Sequence, residues 1–174
     1  MDVPRIDDLL DALAAREPAP GGGSAAALVG AIAAALCAKV AGFADDGGSL
    51  AQAAALCRRL TSLAEEDARV FTSALAELDR RDDDFKLGRA LDRAAEAPLR
   101  IAEACVDVAA LASALAASGT PELQPDARSA ALLAAGAARA SAVLVEANLA
   151  VSHDDERVAR ARRLSEEAAA AAGS

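Results

Sequence analysis

The stretch Pro18 to Ser24, which reads PAPGGGS, runs directly into a long apolar segment. Pro20 disfavours helical backbone in the residue before it, and three consecutive glycines leave the backbone open to close approach. Ser24 stands where an N-cap residue is expected, before a run of strong helix formers. The stretch therefore predicts a helix from Ser24 to Ala44 whose first turn offers free N–H groups, which suit an anionic or carbonyl group. The alternative is a plain loop followed by a capped helix.

The composition of the 174 residues indicates an all-α protein. Alanine, the best helix former, is abundant, only 2% of the residues are aromatic, and few segments alternate as a strand would require. We predict a single domain, residues 1–174, built as a bundle of five to six long helices. The Gly-rich turn should lie at the N-terminus of a central buried helix. Because alanine side chains bury little apolar area, we also expect a homodimer through the long helices.

Charge and cysteine content exclude several classes of partner. The net charge of −9 argues against nucleic acid, whose phosphates attract a basic surface. Cys37, Cys57 and Cys105 are widely spaced in apolar helical patterns, so we expect reduced thiols in a cytoplasmic protein, without a disulfide frame or a metal site. The segment Ser24 to Ala44 is long enough to cross a membrane, but Lys39 interrupts it. We interpret it as a buried helix and expect no membrane partner.

Apolar spacing and the Gly, Pro and charged breaks predict the order of helices. They are Ile6 to Arg16, Ser24 to Ala44, Ser49 to Leu78, Phe85 to Ala117, Pro125 to Asn148 and a final charged helix. Pro98 should kink the fourth helix because it removes a backbone hydrogen bond. The run Asp79 to Asp84 is predicted to be a solvated corner, and Ala168 to Ser174 is expected to fray.

A few polar side chains within the apolar runs are the candidates for chemistry. Lys39 either snorkels to solvent or faces a ligand. Asp67 is either an exposed carboxylate or a buried acid/base. Asp126 follows a proline at a helix start, where a carboxylate meets the helix dipole favourably, so this structural role competes with a catalytic one.

Three further polar residues need a partner or an explanation. Glu146 and Asn148 interrupt the last apolar run, so each is expected to bind either another part of the chain or a ligand. His153 is the only histidine and lies in a polar turn, so we expect an ordinary surface residue.

Several motifs occur in a recognisable order. Ala19 to Ala31 reads APGGGSAAALVGA, Asp67 to Phe71 reads DARVF, and Ala97 to Ala102 reads APLRIA. Gly119 and Asp126 follow, and Asn148-Leu149 ends the last apolar helix. These pieces resemble the formiminotetrahydrofolate cyclodeaminase and methenyltetrahydrofolate cyclohydrolase family over nearly the whole chain. Gly119 and Asp126 keep the spacing of the Gly-Asn to Ser-Asp segment of that family.

The resemblance implies an all-α bundle that dimerises, binds a tetrahydrofolate derivative as its substrate, and closes or opens the methenyl bridge. It implies catalytic carboxylates at Asp67 and Asp126. The candidate substrate-binding residues are Gly21, Gly22, Gly23, Ser24, Lys39 and Asn148. Leu144 stands where the last family motif has an asparagine.

Two other function classes remain open on the residues alone. One is a non-catalytic homologue that binds folate without turnover. The other is a helical assembly protein whose alanine-rich faces mediate association. Cyclodeaminase and cyclohydrolase chemistry are not separated by the sequence, because the same acid/base group would serve both.

Overall fold

The computed structural model describes residues 6–78, 84–150 and 155–173, and every regular element in these ranges is an α-helix. The helices are α1 (Ile6–Ala14), α2 (Gly22–Phe43), α3 (Gly47–Leu78), α4 (Asp84–Ala94), α5 (Glu96–Ser118), α6 (Gln124–Asn148) and α7 (Glu156–Gly173). Five of them, α2, α3, α5, α6 and α7, have 18 residues or more. The predicted all-α bundle of five to six long helices is therefore confirmed.

Helix α2 is central to the bundle, because it packs against α3, α5 and α6, while α7 packs on α5 and α6. The main core consists mostly of buried alanines, with Leu60 and Ile101 among its largest side chains. Gly30 lies where α2 meets its neighbours: a Cβ atom there would stand 2.8 Å from Cys105 Sγ and 3.2 Å from the Leu60 methyl groups. Small residues thus allow the helices to approach closely along their length.

The central helix α2 is not more buried than its neighbour α5. Helix α5 buries a similar share of its residues. On α2, Ile32 and Phe43 leave 57% and 71% of their surface exposed. Three helical segments, Gly22–Phe43, Gly88–Ser118 and Gln124–Asn148, are long and apolar enough to cross a membrane by length and composition alone. About half of each apolar window is buried inside the bundle.

The start of α2 differs from the prediction. The helix begins at Gly22 with Gly21 as its N-cap, and Ser24 is already the third helical residue. Ser24 therefore does not cap the helix, and its side chain points to α3 instead. Helix α3 also begins before its predicted start at Ser49: Asp46 Oδ1 accepts a hydrogen bond from the Ser49 N–H at 3.0 Å, so Asp46 caps the helix.

The predicted fourth helix is interrupted at Ala95, between α4 and α5. Pro98 is the third residue of α5 and has no N–H to offer the Ala94 carbonyl one turn earlier. Asn148 Nδ2 donates to that carbonyl at 2.9 Å and replaces the missing donor. The end of α6 is therefore bound to the end of α4 by a hydrogen bond that replaces the one missing at Pro98.

Helix α7 reaches Gly173 and buries Ala168, so the expected fraying from Ala168 onwards is wrong within the described residues. Arg157 at its start binds Asp92, Glu96 and Asp155, which fixes α7 to the junction of α4 and α5. The Arg157 guanidinium lowers the pKa of Asp155 to about 2. Most of the predicted corner, residues 79–83, and His153 lie outside the described residues.

The three cysteines are free, as expected. Burial raises the pKa of the Cys37 thiol to about 11 and that of Cys105 to about 12. Both thiols therefore stay protonated and unreactive inside the core.

Candidate active site

A small cavity lies where the first turn of α2 faces α3, the start of α5 and the end of α6. Its volume is about 70 Å³. The Gly-rich turn and side chains from three other helices form its walls: Ala19, Gly21, Gly22, Gly23, Asp67, Phe71, Pro98, Leu144 and Asn148. A water molecule occupies about 30 Å³ in the liquid. The cavity therefore accommodates one or two groups of that size, and a whole folate does not fit inside it.

The carboxylate of Asp67 meets the N-terminal turn of α2. Ser24 Oγ lies 3.2 Å from Asp67 Oδ2, and both the Ser24 hydroxyl and the Ser24 backbone N–H lower the pKa of this carboxyl group. The first intrahelical bond of α2 runs from the Ala25 N–H to the Gly21 carbonyl at 2.9 Å. The Ser24 N–H is thus one of the donors that a helix start leaves without an intrahelical partner. The Asp67 carboxylate therefore occupies part of the positive helix end, where the sequence predicts a ligand.

The two central glycines of the turn have different surroundings. A Cβ atom on Gly23 would overlap the carboxylate atoms of Asp67. A Cβ atom on Gly22 would meet only Leu144, at 3.5 Å, which is an ordinary contact. A side chain at position 23 would therefore displace the Asp67 carboxylate from its place, whereas one at position 22 would not.

Burial raises the pKa of Asp67, and the side-chain and backbone hydrogen bonds from Ser24 oppose this rise. Burial has the larger effect, so the carboxyl group keeps its proton to a higher pH than an exposed aspartate. Among the described residues that line the cavity, Asp67 alone carries an acidic or basic side chain. A perturbed carboxyl group that faces a cavity is a candidate proton donor and acceptor. Of the two interpretations of Asp67, the exposed carboxylate is wrong.

Asn148 lines the same cavity, but its amide nitrogen is already bound to the Ala94 carbonyl. The structural alternative for this residue therefore accounts for its Nδ2 group. A ligand contact from Asn148 would use the Oδ1 oxygen or the second hydrogen of Nδ2.

Lys39 and Asp126 are not part of this cavity. Lys39 Nζ binds Asp126 Oδ2 at 2.6 Å, in a pair that is partly exposed to solvent. At a rise of about 1.5 Å per residue, Lys39 lies about 24 Å along α2 from Gly23. Within one chain the structure thus does not bring Asp126 to Asp67 as a second carboxylate. Lys39 and Asp126 meet because the N-terminus of α6 packs beside the C-terminal half of α2.

Two larger surface grooves, of about 540 and 460 Å³, include neither Asp67 nor the Gly-rich turn in their walls. In the first groove Arg162 binds Glu146 at 2.7 Å, which satisfies Glu146 by a structural pair. Across the described residues, no three His, Cys, Asp or Glu side chains gather closely enough to hold a metal ion.

Comparison with known proteins gives consistent matches. A sequence profile described as formiminotransferase-cyclodeaminase matches residues 5–167. A methenyltetrahydrofolate cyclohydrolase from Methylorubrum extorquens is 32% identical over 176 aligned positions, which cover 90% of this chain and 84% of that protein. The crystal structure of formiminotetrahydrofolate cyclodeaminase from Thermotoga maritima matches with a TM-score of 0.85 at 25% identity, covering 98% of this chain and 90% of that one.

The helical bundle and these matches define the class as folate one-carbon enzymes of the cyclohydrolase and cyclodeaminase type. The chain belongs to the formiminotransferase-cyclodeaminase family, as its motifs predicted.

The sequence places Phe71, Pro98 and Leu144 in motifs, but it does not predict that they share one cavity wall. Phe71 follows Asp67 by one helical turn, so helical spacing alone could have placed both side chains on one face. The contact between Gly23 and Asp67 joins residues that are distant along the chain, and no local pattern indicates it.

Proposed function

We propose that this chain is an enzyme that closes or opens the methenyl bridge of a tetrahydrofolate derivative, with Asp67 as its acid/base. The observation that supports this most directly is the half-buried Asp67 carboxyl group, which faces the cavity beside the Gly-rich turn. The cyclohydrolase and cyclodeaminase relatives supply the substrate class.

In the cyclodeaminase reaction, N10 of the folate bonds to the formimino carbon and the bond from that carbon to the departing nitrogen breaks. Asp67 as a carboxylate takes the proton that N10 loses, and as an acid it returns a proton to the nitrogen that leaves as ammonia. In the cyclohydrolase reaction, the same carboxylate takes a proton from water as the water oxygen bonds to the methenyl carbon. The protonated Asp67 then donates to the ring nitrogen whose bond to that carbon breaks, while the carbon-bound hydroxyl becomes the formyl carbonyl and releases its proton to water.

The size of the cavity agrees with a site for the small molecule that attacks or leaves. A space of about 70 Å³ beside Asp67 accommodates the attacking water or the departing ammonia. The folate itself would lie at the mouth, where the N–H groups of Gly22 and Gly23 precede the first intrahelical bond and are available to a carbonyl or carboxylate group.

The test follows the absorbance of the methenyl form with wild type, Asp67→Asn and Glu65→Gln. Asp67→Asn preserves size and polarity but removes the titratable group, so turnover should fall by roughly 10²–10⁴-fold while folate binding changes little. Glu65 is an exposed carboxylate on the same helix, so its variant should match wild type. Equal activity of Asp67→Asn and wild type would refute the assignment.

Binding of a tetrahydrofolate by wild type without any turnover would favour the non-catalytic homologue instead. Neither binding nor turnover would favour the assembly protein. Parallel assays with the formimino and the methenyl substrates separate cyclodeaminase from cyclohydrolase activity.

We also propose that two copies associate through the apolar face of α2, defined by Leu28, Val29, Ile32, Leu36 and Phe43. These side chains recur at helical spacing, and Ile32 and Phe43 are largely exposed. Lys39 lies on the same face, but Asp126 neutralises it. A twofold axis would bring the same face of a second copy against this one. The free cysteines support a cytoplasmic location.

A further inference from the structure

The Ser24 hydroxyl is buried between two acceptors. Ser24 is 2% exposed. Its Oγ atom lies 3.0 Å from the Ala64 carbonyl oxygen and 3.2 Å from Asp67 Oδ2. A hydroxyl group carries one proton, so it donates to only one of these oxygens at a time.

The protonation state of Asp67 decides which acceptor receives this proton. When Asp67 is ionised, the hydroxyl donates to Oδ2, since a charge-assisted hydrogen bond is stronger than a neutral one. When Asp67 is protonated, its own O–H donates to Ser24 Oγ, and the Ser24 proton is free to turn to the Ala64 carbonyl. Both states keep the hydroxyl bonded, and no proton passes between the two residues.

We propose that Ser24 is a positioning residue whose hydroxyl turns between Ala64 and Asp67 as Asp67 gains and loses its proton. The hydroxyl holds the carboxyl group in one place through both halves of an acid/base cycle. The catalytic importance of Ser24 rests on the proposed function of Asp67, whereas the rotation of the Ser24 hydroxyl does not. Ser24 thus has the role of holding Asp67, in place of the substrate-binding role that the family resemblance implied.

The surroundings of Asp67 favour such a device, because no other acidic or basic side chain among the described residues lines the cavity. From α2 the Ser24 side chain faces the carboxylate, and from α5 and α6 the lining residues are Pro98, Leu144 and Asn148. The adjacent Glu66 is bound to Arg100 at 2.8 Å. The hydroxyl is thus the group placed to follow the titration of Asp67.

The experiment measures carbonyl and carboxyl ¹³C shifts by NMR across a pH titration. In wild type, the Ala64 carbonyl shift should titrate with the same midpoint as the Asp67 carboxyl group, because the carbonyl gains and loses the Ser24 hydrogen bond. In Ser24→Ala, the Asp67 midpoint should move to higher pH, and the Ala64 change should fall below half of its wild-type amplitude. The residual change reports the electric field of Asp67 alone.

Ser141→Ala is the matched control. Ser141 is fully buried on α6, and its hydroxyl donates to the Ala137 carbonyl at 2.9 Å, outside the cavity. This variant also removes one buried hydroxyl, but both titrations should remain as in wild type. If Ser24→Ala does not fold, Ser24→Cys replaces it, because a thiol is a weak donor of similar size.

An Ala64 shift that does not titrate in wild type, or that keeps its full amplitude in Ser24→Ala, overturns the proposal. Kinetics give the second readout: kcat of Ser24→Ala should fall about two- to tenfold, the value of one hydrogen bond, with KM unchanged. An unchanged kcat would remove the positioning role. An inactive wild type with coupled titrations would overturn the proposed function and leave the turning hydroxyl in place.

Discussion

Gly23 lies so close to Asp67 that the carboxylate occupies the space of a side chain. We expect Gly23→Ala to displace the carboxyl group, with a cost of about 1–3 kcal/mol in the free energy of unfolding from overpacking. Turnover should fall roughly 10²-fold, the effect of a displacement of about 1 Å at a reacting group. Urea denaturation and the methenyl absorbance assay measure the two effects.

Gly22→Ala provides the control for backbone effects at the same helix start. Its Cβ would make only an ordinary contact with Leu144. The free energy of unfolding and the titration midpoint of Asp67 should therefore stay near the wild-type values. A Gly23→Ala protein with an unmoved Asp67 titration would show that the carboxylate does not need the glycine.

Asp67 should weaken the fold at neutral pH. Its folded pKa lies above the ordinary value of 3.8, so the native state binds the proton more tightly than the unfolded state. The stabilisation from this proton is fully present below 3.8 and is lost as the pH rises through the folded pKa. Asp67→Asn is neutral throughout and should be more stable than wild type at neutral pH.

This difference in stability should shrink towards zero as the pH falls to 3.8. Urea unfolding of wild type and Asp67→Asn at several pH values measures it, and Glu65→Gln shows the effect of removing an exposed carboxylate. A constant difference at all pH values would contradict the raised pKa.

Among the helices, the junction of α4 and α5 depends on a bond from a third helix. We expect Asn148→Leu to leave the Ala94 carbonyl unpaired, at a cost of about 1–3 kcal/mol in the free energy of unfolding. Pro98→Ala would restore an N–H group to the same carbonyl. In the Pro98→Ala background, Asn148→Leu should therefore cost clearly less.

A double-mutant cycle in urea isolates this coupling. The same cost of Asn148→Leu in both backgrounds would mean that Asn148 acts through other contacts.

The helices themselves were largely predictable because their signals are local. Apolar spacing and the glycine and proline breaks indicated the positions of all the long helices. The helix caps were not predictable in the same way: Ser24 fits an N-cap by type, but a bond to α3 holds its side chain. Likewise, the break at Ala95 depends on Pro98, whereas its partner Asn148 lies far along the chain.

For the site, the sequence indicated Asp67 and the Gly-rich turn but not their mutual distance. Family motifs indicate both Asp67 and Asp126, but the order of motifs along the chain carries no information on the distance between the two carboxylates. The packing of α6 along α2 determines that Asp126 reaches Lys39 instead.

For the whole molecule, association through the apolar face of α2 can be tested with one substitution. Ile32→Glu places a charge at a position that is 57% exposed, so it should shift a wild-type dimer to monomer with little loss of fold. Leu10→Glu is the matched control, because Leu10 is 56% exposed and belongs to α1, outside the residues that define this face. Sedimentation velocity at micromolar concentration measures both. A monomeric wild type, or a dimeric Ile32→Glu, would contradict the proposed interface.

The alanine-rich core has a consequence for the response to temperature. The heat capacity of unfolding grows with the apolar area that becomes hydrated and falls with the polar area. A buried alanine contributes little apolar area, while its peptide group contributes as much polar area as any other. The heat capacity change per residue should therefore lie below the usual range of about 12–15 cal/mol/K. The stability curve of this bundle would be unusually flat, so that a modest maximum stability declines slowly on both warming and cooling.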